Sequence, residues 1–162
     1  MFDINSLLNY LYNGQTISVC LAFILLYFIR DSKGAFFSLI TAVFFLYGSL
    51  TQSLVYEYDI DFIYRYIFWS INDLIWMGCI AYFAIKDRLY LWQSIIGQLV
   101  VVLSPILQIF RLLDRHLWDL SYSDAIYKTT LPLINLAVVV ICFLPLFLVL
   151  SSRIKSNKQL AN

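Results

Sequence analysis

"VVVICFLPLFLVL", residues 138–150, contains no charged residue and no polar side chain beyond one thiol. A helix needs roughly 20 apolar residues to cross a bilayer. Traced back to residue 126, this apolar run is longer than that. Four similar segments precede it, at about 5–29, 35–56, 62–85 and 89–110. The first is the weakest, because Asn9, Asn13, Gly14 and Gln15 dilute it. The expected fold is therefore an all-α integral membrane bundle of five transmembrane helices, with four as the fallback.

Composition points the same way. The chain has 162 residues, 62% hydrophobic and 13% charged, with a mean hydropathy of +0.80. Soluble domains average about 45–50% apolar and about 25% charged residues. A soluble core of this size has no room for so much apolar surface, so lipid must cover it. No separate extramembrane domain is expected: residues 1–162 form one transmembrane domain, and 151–162 a polar tail. Residues 111–125 are expected to extend the fourth helix or to lie in the interface, with Ser121 or Ser123 capping the fifth. The opening "MFDINSLLNYLYNG" lacks a basic region and a small-residue cleavage site, so no cleavable leader is expected.

Loop charges set the expected orientation. With five crossings, Arg30, Lys33, Lys86, Arg88, Arg153, Lys155 and Lys158 fall on one side, seven in all. The opposite loops hold three: Arg111, Arg115 and Lys128. Positive residues favour the cytoplasm, which places the N-terminus outside and the C-terminus in the cytoplasm. The expected location is the inner (cytoplasmic) membrane, as a multi-pass protein. Tyrosine and tryptophan at both predicted boundaries fit interfacial belts. They account for much of the 18% aromatic content. "YFIRD" (27–31) and "YFAIKD" (82–87) end spans one and three alike, as any helix would that reaches a basic turn at the same face.

Within the spans, the polar residues sort by depth. Asn9, Asn13, Thr51, Gln52, Asn72, Ser104, Gln108, Thr130 and Asn135 fall in the predicted outer half, with Asp73 at its floor. The inner half is nearly dry, Gln93 and Ser94 being the main exceptions. Asp73 lies in "FWSINDLIW" (68–76), at the centre of span three. A charged aspartate there costs roughly 2.5–3.5 kcal/mol on insertion scales. Arg65 lies eight residues away. Along a helix that is about 12 Å. Asp73 is thus expected to be uncharged or water-facing rather than salt-bridged. Trp69 and Trp76 are expected to pack on its helix face.

Span four carries Ser94, Gly97, Val101, Ser104, Gln108, Arg111 and Arg115 at helical spacing, a stripe expected to face protein. Pro105 is expected to kink that helix. The candidate intramembrane site is therefore Asp73, Asn72, Ser70, Gln52, Thr51, Gln98, Ser104, Gln108 and Asn135. Arg65, Arg111 and Arg115 are the expected basic residues at its outer rim.

Several classes are excluded or disfavoured. The chain has no glycine-rich nucleotide loop, no GxSxG and no HExxH. His116 is the sole histidine, which rules out a bis-histidine haem site within one chain. Cys20, Cys79 and Cys142 form no CxxC and are expected to be buried free thiols. A net charge of +1 gives no basic footprint for nucleic acid. No catalytic residue, metal or cofactor is expected. The expected partners are the lipid bilayer and other membrane proteins, in a homo- or hetero-oligomer. The function expected first is non-enzymatic, a subunit or accessory of a membrane assembly acting through polar helix faces. The alternative is a small transporter or channel subunit whose outward-facing pocket holds a proton- or cation-binding aspartate.

Overall fold

The structure, a computed structural model, describes the backbone of residues 4–118 and 122–160, and the side chains of 14–117 and 123–151. The expectations for Asn9, Asn13 and Ser121 lie outside the described side chains. Every regular element among the described residues is helical. In order these are α1 (Ile4–Ile29), α2 (Ser32–Tyr58), α3 (Tyr64–Ile85), α4 (Leu91–Val101), α5 (Leu103–Leu113) and α6 (Tyr122–Leu160). A single π-helical turn, Asp114–Trp118, follows α5.

Four stretches are long and apolar enough to cross a membrane: Ser32–Tyr58, Tyr64–Ile85, Leu91–Leu117 and Ser123–Ser151. In α1 the apolar part is shorter, Gly14–Ile29. Large apolar side chains point outward all round the bundle. In α1, Ile17, Leu21 and Ile24 are exposed, whereas Val19, Ala22 and Leu26 are fully buried. The outward residues are left for lipid to cover; water would leave this surface unsatisfied.

The helices pack as neighbours along the chain, and α6 closes the bundle against α1 and α2. α1 lies against α2 and α6, α3 against α2, α4 and α5, and α6 against α1, α4 and α5. The expected stripe on span four is buried from Ser94 through Gly97, Val101, Ser104 and Gln108 to Arg111, and partly buried at Arg115. Gly97 permits a close approach. A Cβ there would stand 3.1 Å from Phe37 and 3.3 Å from Trp76. Those two rings meet edge to face at 5.9 Å, and the Trp76 indole N–H donates to Thr41 Oγ1 at 3.3 Å.

Prolines interrupt the backbone hydrogen-bond ladders of two of these segments. Span four divides at Val102, between α4 and α5. Pro105 has no N–H and its ring crowds the preceding turn, so the ladder is interrupted one turn earlier. In α6, Pro145 likewise leaves the Ile141 carbonyl without its backbone donor. Gln93, fully buried, fills the vacancy: its Nε2 donates to Ile141 O at 3.0 Å. The exception to a dry inner half is therefore a repair of a proline defect on the facing helix.

At the end of the bundle that holds the α1–α2 and α3–α4 turns, two helices stop in the same way. Arg30 N–H bonds Tyr27 O and Asp31 N–H bonds Leu26 O; Asp87 N–H bonds Ala84 O and Arg88 N–H bonds Phe83 O. This paired pattern is the Schellman stop. Here the left-handed position is held by non-glycine residues, Arg30 (φ 63°) and Asp87 (φ 55°). The stop gives the two similar sequence endings a common local geometry. Lys33 and Asp87 join the turns at 2.6 Å. Asp31 caps α2 through Gly34 N–H and accepts from the Tyr90 hydroxyl at 3.0 Å. Burial, then that bond to Asp31, pushes the Tyr90 phenol above its ordinary pKa.

α6 continues past the apolar run into the polar tail, as far as Leu160. Ser123 lies within the first turn of α6 rather than before it, and its hydroxyl bonds Asp114 instead of capping the helix. Cys142 is fully buried, but Cys20 and Cys79 are only partly so, because their helices turn those faces toward the lipid-covered surface. All three thiols are free.

Candidate functional site

α1, α2, α3, α5 and α6 converge at the other end, beneath the α2–α3 loop, around a cavity of about 310 Å³. Each helix contributes the half nearest that loop. α3 supplies Trp69, Asn72 and Asp73, and α5 supplies Ser104 and Gln108. α2 supplies Phe44, Phe45, Gly48, Gln52 and Tyr56, α1 supplies Gln15 and Thr16, and α6 runs from Tyr127 and Lys128 to Asn135. Below it, toward the other end, the bundle closes on Phe37, Thr41, Trp76, Gly97 and Cys142.

Asp73 forms no ion pair among the described residues. Its Oδ2 accepts from the Ser104 hydroxyl at 2.6 Å, and Gln108 lines the same cavity. One turn earlier, the Ser70 hydroxyl donates to Pro105 O at 3.4 Å. These contacts bridge α3 to α5 beside the kink. The break at Val102 therefore matters to the site, because it sets the angle at which Ser104 reaches Asp73.

The cavity brings together Asp73, Asn72, Gln52, Ser104, Gln108 and Asn135 from the expected set. Three others lie elsewhere. Ser70 is buried against α5, and Thr51 turns its hydroxyl back to Tyr47 O at 2.7 Å. Gln98, partly buried, belongs to α4, which does not reach the cavity. Trp69 and Trp76 part company: Trp69 is on the cavity wall, whereas Trp76 is in the core.

None of the three arginines expected at the rim lines the cavity. Arg65 turns outward to Asp59, with Nε 2.6 Å from Oδ2. That carboxylate also accepts from the backbone N–H groups of Ile63, Tyr64 and Arg65. These are donors that the start of a helix leaves unpaired. Burial alone would raise the Asp59 pKa, but Arg65 and the three N–H groups outweigh it and hold the carboxyl below its ordinary value of 3.8. Phe62, at φ 57°, lies between two guanidinium groups, Arg65 at 4.3 Å and Arg115 at 3.6 Å from its ring centre. Arg111 is buried. It reaches Asp114 at 3.2 Å, Ser123 at 2.8 Å and Asp124 at 2.8 Å, tying the end of α5 to the start of α6.

The chain matches no known family model, no curated protein and no solved structure.

The cation that does line the cavity is Lys128, whose Nζ pairs with Asp124 at 2.6 Å. Sequence patterning gave no reason to choose it, nor Gln15, Thr16, Tyr56 and Tyr127. The tyrosines have the right type and place for a membrane boundary, and only the rotation of each helix turns them inward. No group of three or more metal-binding side chains forms among the described residues. Chemically, the site is a half-polar pocket: a carboxylate floor, amide walls and an aromatic lining.

Proposed function

We propose that this protein is a small, non-enzymatic, solute-binding membrane protein of the transporter type, with Asp73 as the recognition group of its cavity. One observation carries the proposal. Polar side chains and aromatic rings from several helices surround a single space large enough for a small molecule. Ligand pockets commonly span about 300–1,000 Å³, so this one suits a small ligand. A charged-capable residue within a membrane bundle is also a group for which function is the default hypothesis.

The expectation of a partner-binding subunit loses much of its support here. The polar faces of spans three and four are spent inside the chain, through Ser70, Asp73, Gln93, Ser94 and Ser104. α1 has 26 residues. Its apolar part, Gly14–Ile29, is shorter than the other four spans, and we read α1 as a fifth crossing. On that reading the loop charges favour a cavity in the non-cytoplasmic half of a cytoplasmic membrane.

The test uses purified protein in lipid nanodiscs and a panel of small neutral and charged solutes. At least one solute class is expected to raise the thermal midpoint, and Asn135→Trp, which fills the cavity, is expected to abolish that rise while leaving the helical spectrum unchanged. A panel that shifts nothing, or shifts Asn135→Trp equally, would overturn the proposal.

A further inference from the structure

Three amide side chains of the cavity lining are spent on nothing else among the described residues. Gln52 comes from α2, Asn72 from α3 and Asn135 from α6, and none of them makes a hydrogen bond there. All three are partly exposed. Their polar neighbours on the same helices are committed: Thr51 bonds Tyr47 O and Ser70 bonds Pro105 O. The other amides of the lining are committed or sealed as well. Gln15 Nε2 donates to Pro132 O at 3.4 Å, and Gln108 Oε1 is fully buried.

The free amides say what kind of solute the space suits. Each offers two N–H donors and a carbonyl acceptor, so each is matched by a group that donates and accepts at once. A hydroxyl does both, whereas an ammonium only donates and a carboxylate only accepts. The three stand on three helices around one space, so the matching groups have to point in several directions. A planar amide or base presents its polar atoms in one plane. A saturated ring with hydroxyls around its rim presents them on every side. Any solute that enters displaces water from these amides, and one that fails to replace those hydrogen bonds loses affinity.

The rest of the lining agrees. Lys128 is already paired with Asp124 at 2.6 Å, so it leaves no free cation for an anionic solute. Asp73 adds a carboxyl group, one oxygen of which already takes the Ser104 hydroxyl. Trp69 and Phe44 supply aromatic surface. The negative face of such a ring suits the slightly positive C–H groups on the flat side of a saturated ring. A cavity of about 310 Å³ lies at the small end of the ligand-pocket range, which fits one ring rather than a chain of them.

Resting on the solute-binding reading above, we infer that the cavity takes an uncharged, polyhydroxylated ring, a monosaccharide or cyclic polyol. Its hydroxyls bond the amides of Gln52, Asn72 and Asn135, and its C–H face lies against the aromatic wall.

Calorimetric titration of the full chain in nanodiscs tests this. The probes are glucose, galactose, mannose and myo-inositol. The comparison rings are cyclohexanol, cyclohexylammonium and nicotinamide. At least one polyol is expected to bind at least tenfold more tightly than all three comparison rings. Gln52→Leu, Asn72→Leu and Asn135→Leu are each expected to weaken that polyol at least tenfold while leaving the solute-free thermal midpoint unchanged. A lowered midpoint or a failure to fold would show the amides spent on structure and overturn the assignment. If cyclohexylammonium binds as tightly as the best polyol, the carboxyl alone selects the solute; if cyclohexanol or nicotinamide does, hydroxyls around a rim are not what is read. In each case the cavity reading stands and this inference falls. If no polyol binds while another solute still raises the thermal midpoint, the inference falls alone; if nothing binds at all, both fall. Nanodiscs containing glucosyl- and galactosyl-diacylglycerol separate two sources of the same ring: loss of the free polyol's binding assigns it to a lipid headgroup, and unchanged binding to a free solute.

Discussion

Gln93→Leu isolates the repair of the α6 proline. Gln93 Nε2 donates to Ile141 O at 3.0 Å, and that carbonyl lacks its helical donor because residue 145 is proline. Losing the bond and stranding the carbonyl costs about 1–3 kcal/mol. Leucine is similar in size, and it also removes Gln93 Oε1, which is buried without a partner. The second effect offsets part of the first, leaving an expected net loss of about 1–2 kcal/mol. Pro145→Ala returns an N–H to the Ile141 carbonyl, so in that background Gln93→Leu is expected to cost nothing or to stabilise slightly. The coupling energy of the pair is then about 1–2 kcal/mol. SDS-driven unfolding of the two single variants and the double variant, followed by circular dichroism, measures it. An equal loss from Gln93→Leu in both backgrounds would refute the role assigned to Gln93.

Four further outcomes follow from the packing and the turns. Gly97→Val drives side-chain atoms into Phe37 and Trp76. It is expected to lower stability by about 1–3 kcal/mol. At Gly78 a Cβ meets nothing within 4 Å. Gly78→Ala is expected to raise stability by up to about 1 kcal/mol, and thermal melts in micelles compare the two. Arg30 holds a left-handed backbone. Arg30→Gly is expected to relieve it and stabilise by about 1 kcal/mol in the same melts, while Arg30→Ala gives no gain. Asp59→Asn is expected to destabilise at neutral pH. A carboxyl whose folded pKa is depressed contributes fully above its unfolded value and loses that contribution as pH falls through the lower folded value. For Asp59 the ordinary value is 3.8. The gap between wild type and Asp59→Asn, followed in denaturant at descending pH, should therefore close only below that value.

The membrane class was legible because it depends on totals, and no arrangement of these residues buries so much apolar surface without lipid. The polar half was legible because depth along a helix follows from counting residues at about 1.5 Å each. Rotation about each helix axis was harder to read. Arg65 and Arg115 have the right depth for a rim, yet they turn to Asp59 and Phe62. Arg111 goes to Asp114 and Asp124, acids that the sequence places in the same loop without showing which way the chain bends. Thr51 and Gln52 are adjacent, and only Gln52 faces the cavity. Gln93 stood out as a polar residue in a dry half, but its reason sits far along the chain, at Pro145. Contacts of that range depend on which helices become neighbours, and hydropathy does not encode that.

The central claim is a cavity open beneath the α2–α3 loop and closed toward the opposite end of the bundle. Cysteine accessibility tests it most directly, using single cysteines in a background with Cys20, Cys79 and Cys142 changed to alanine, and a membrane-impermeant methanethiosulfonate applied from each side of sealed vesicles. Gln52→Cys, Asn72→Cys and Asn135→Cys are expected to react from one side only, while Ser38→Cys and Ala42→Cys, buried in the dry half, stay silent. Silence at all three cavity positions, or labelling of Ser38→Cys and Ala42→Cys at the same rate, would contradict the account.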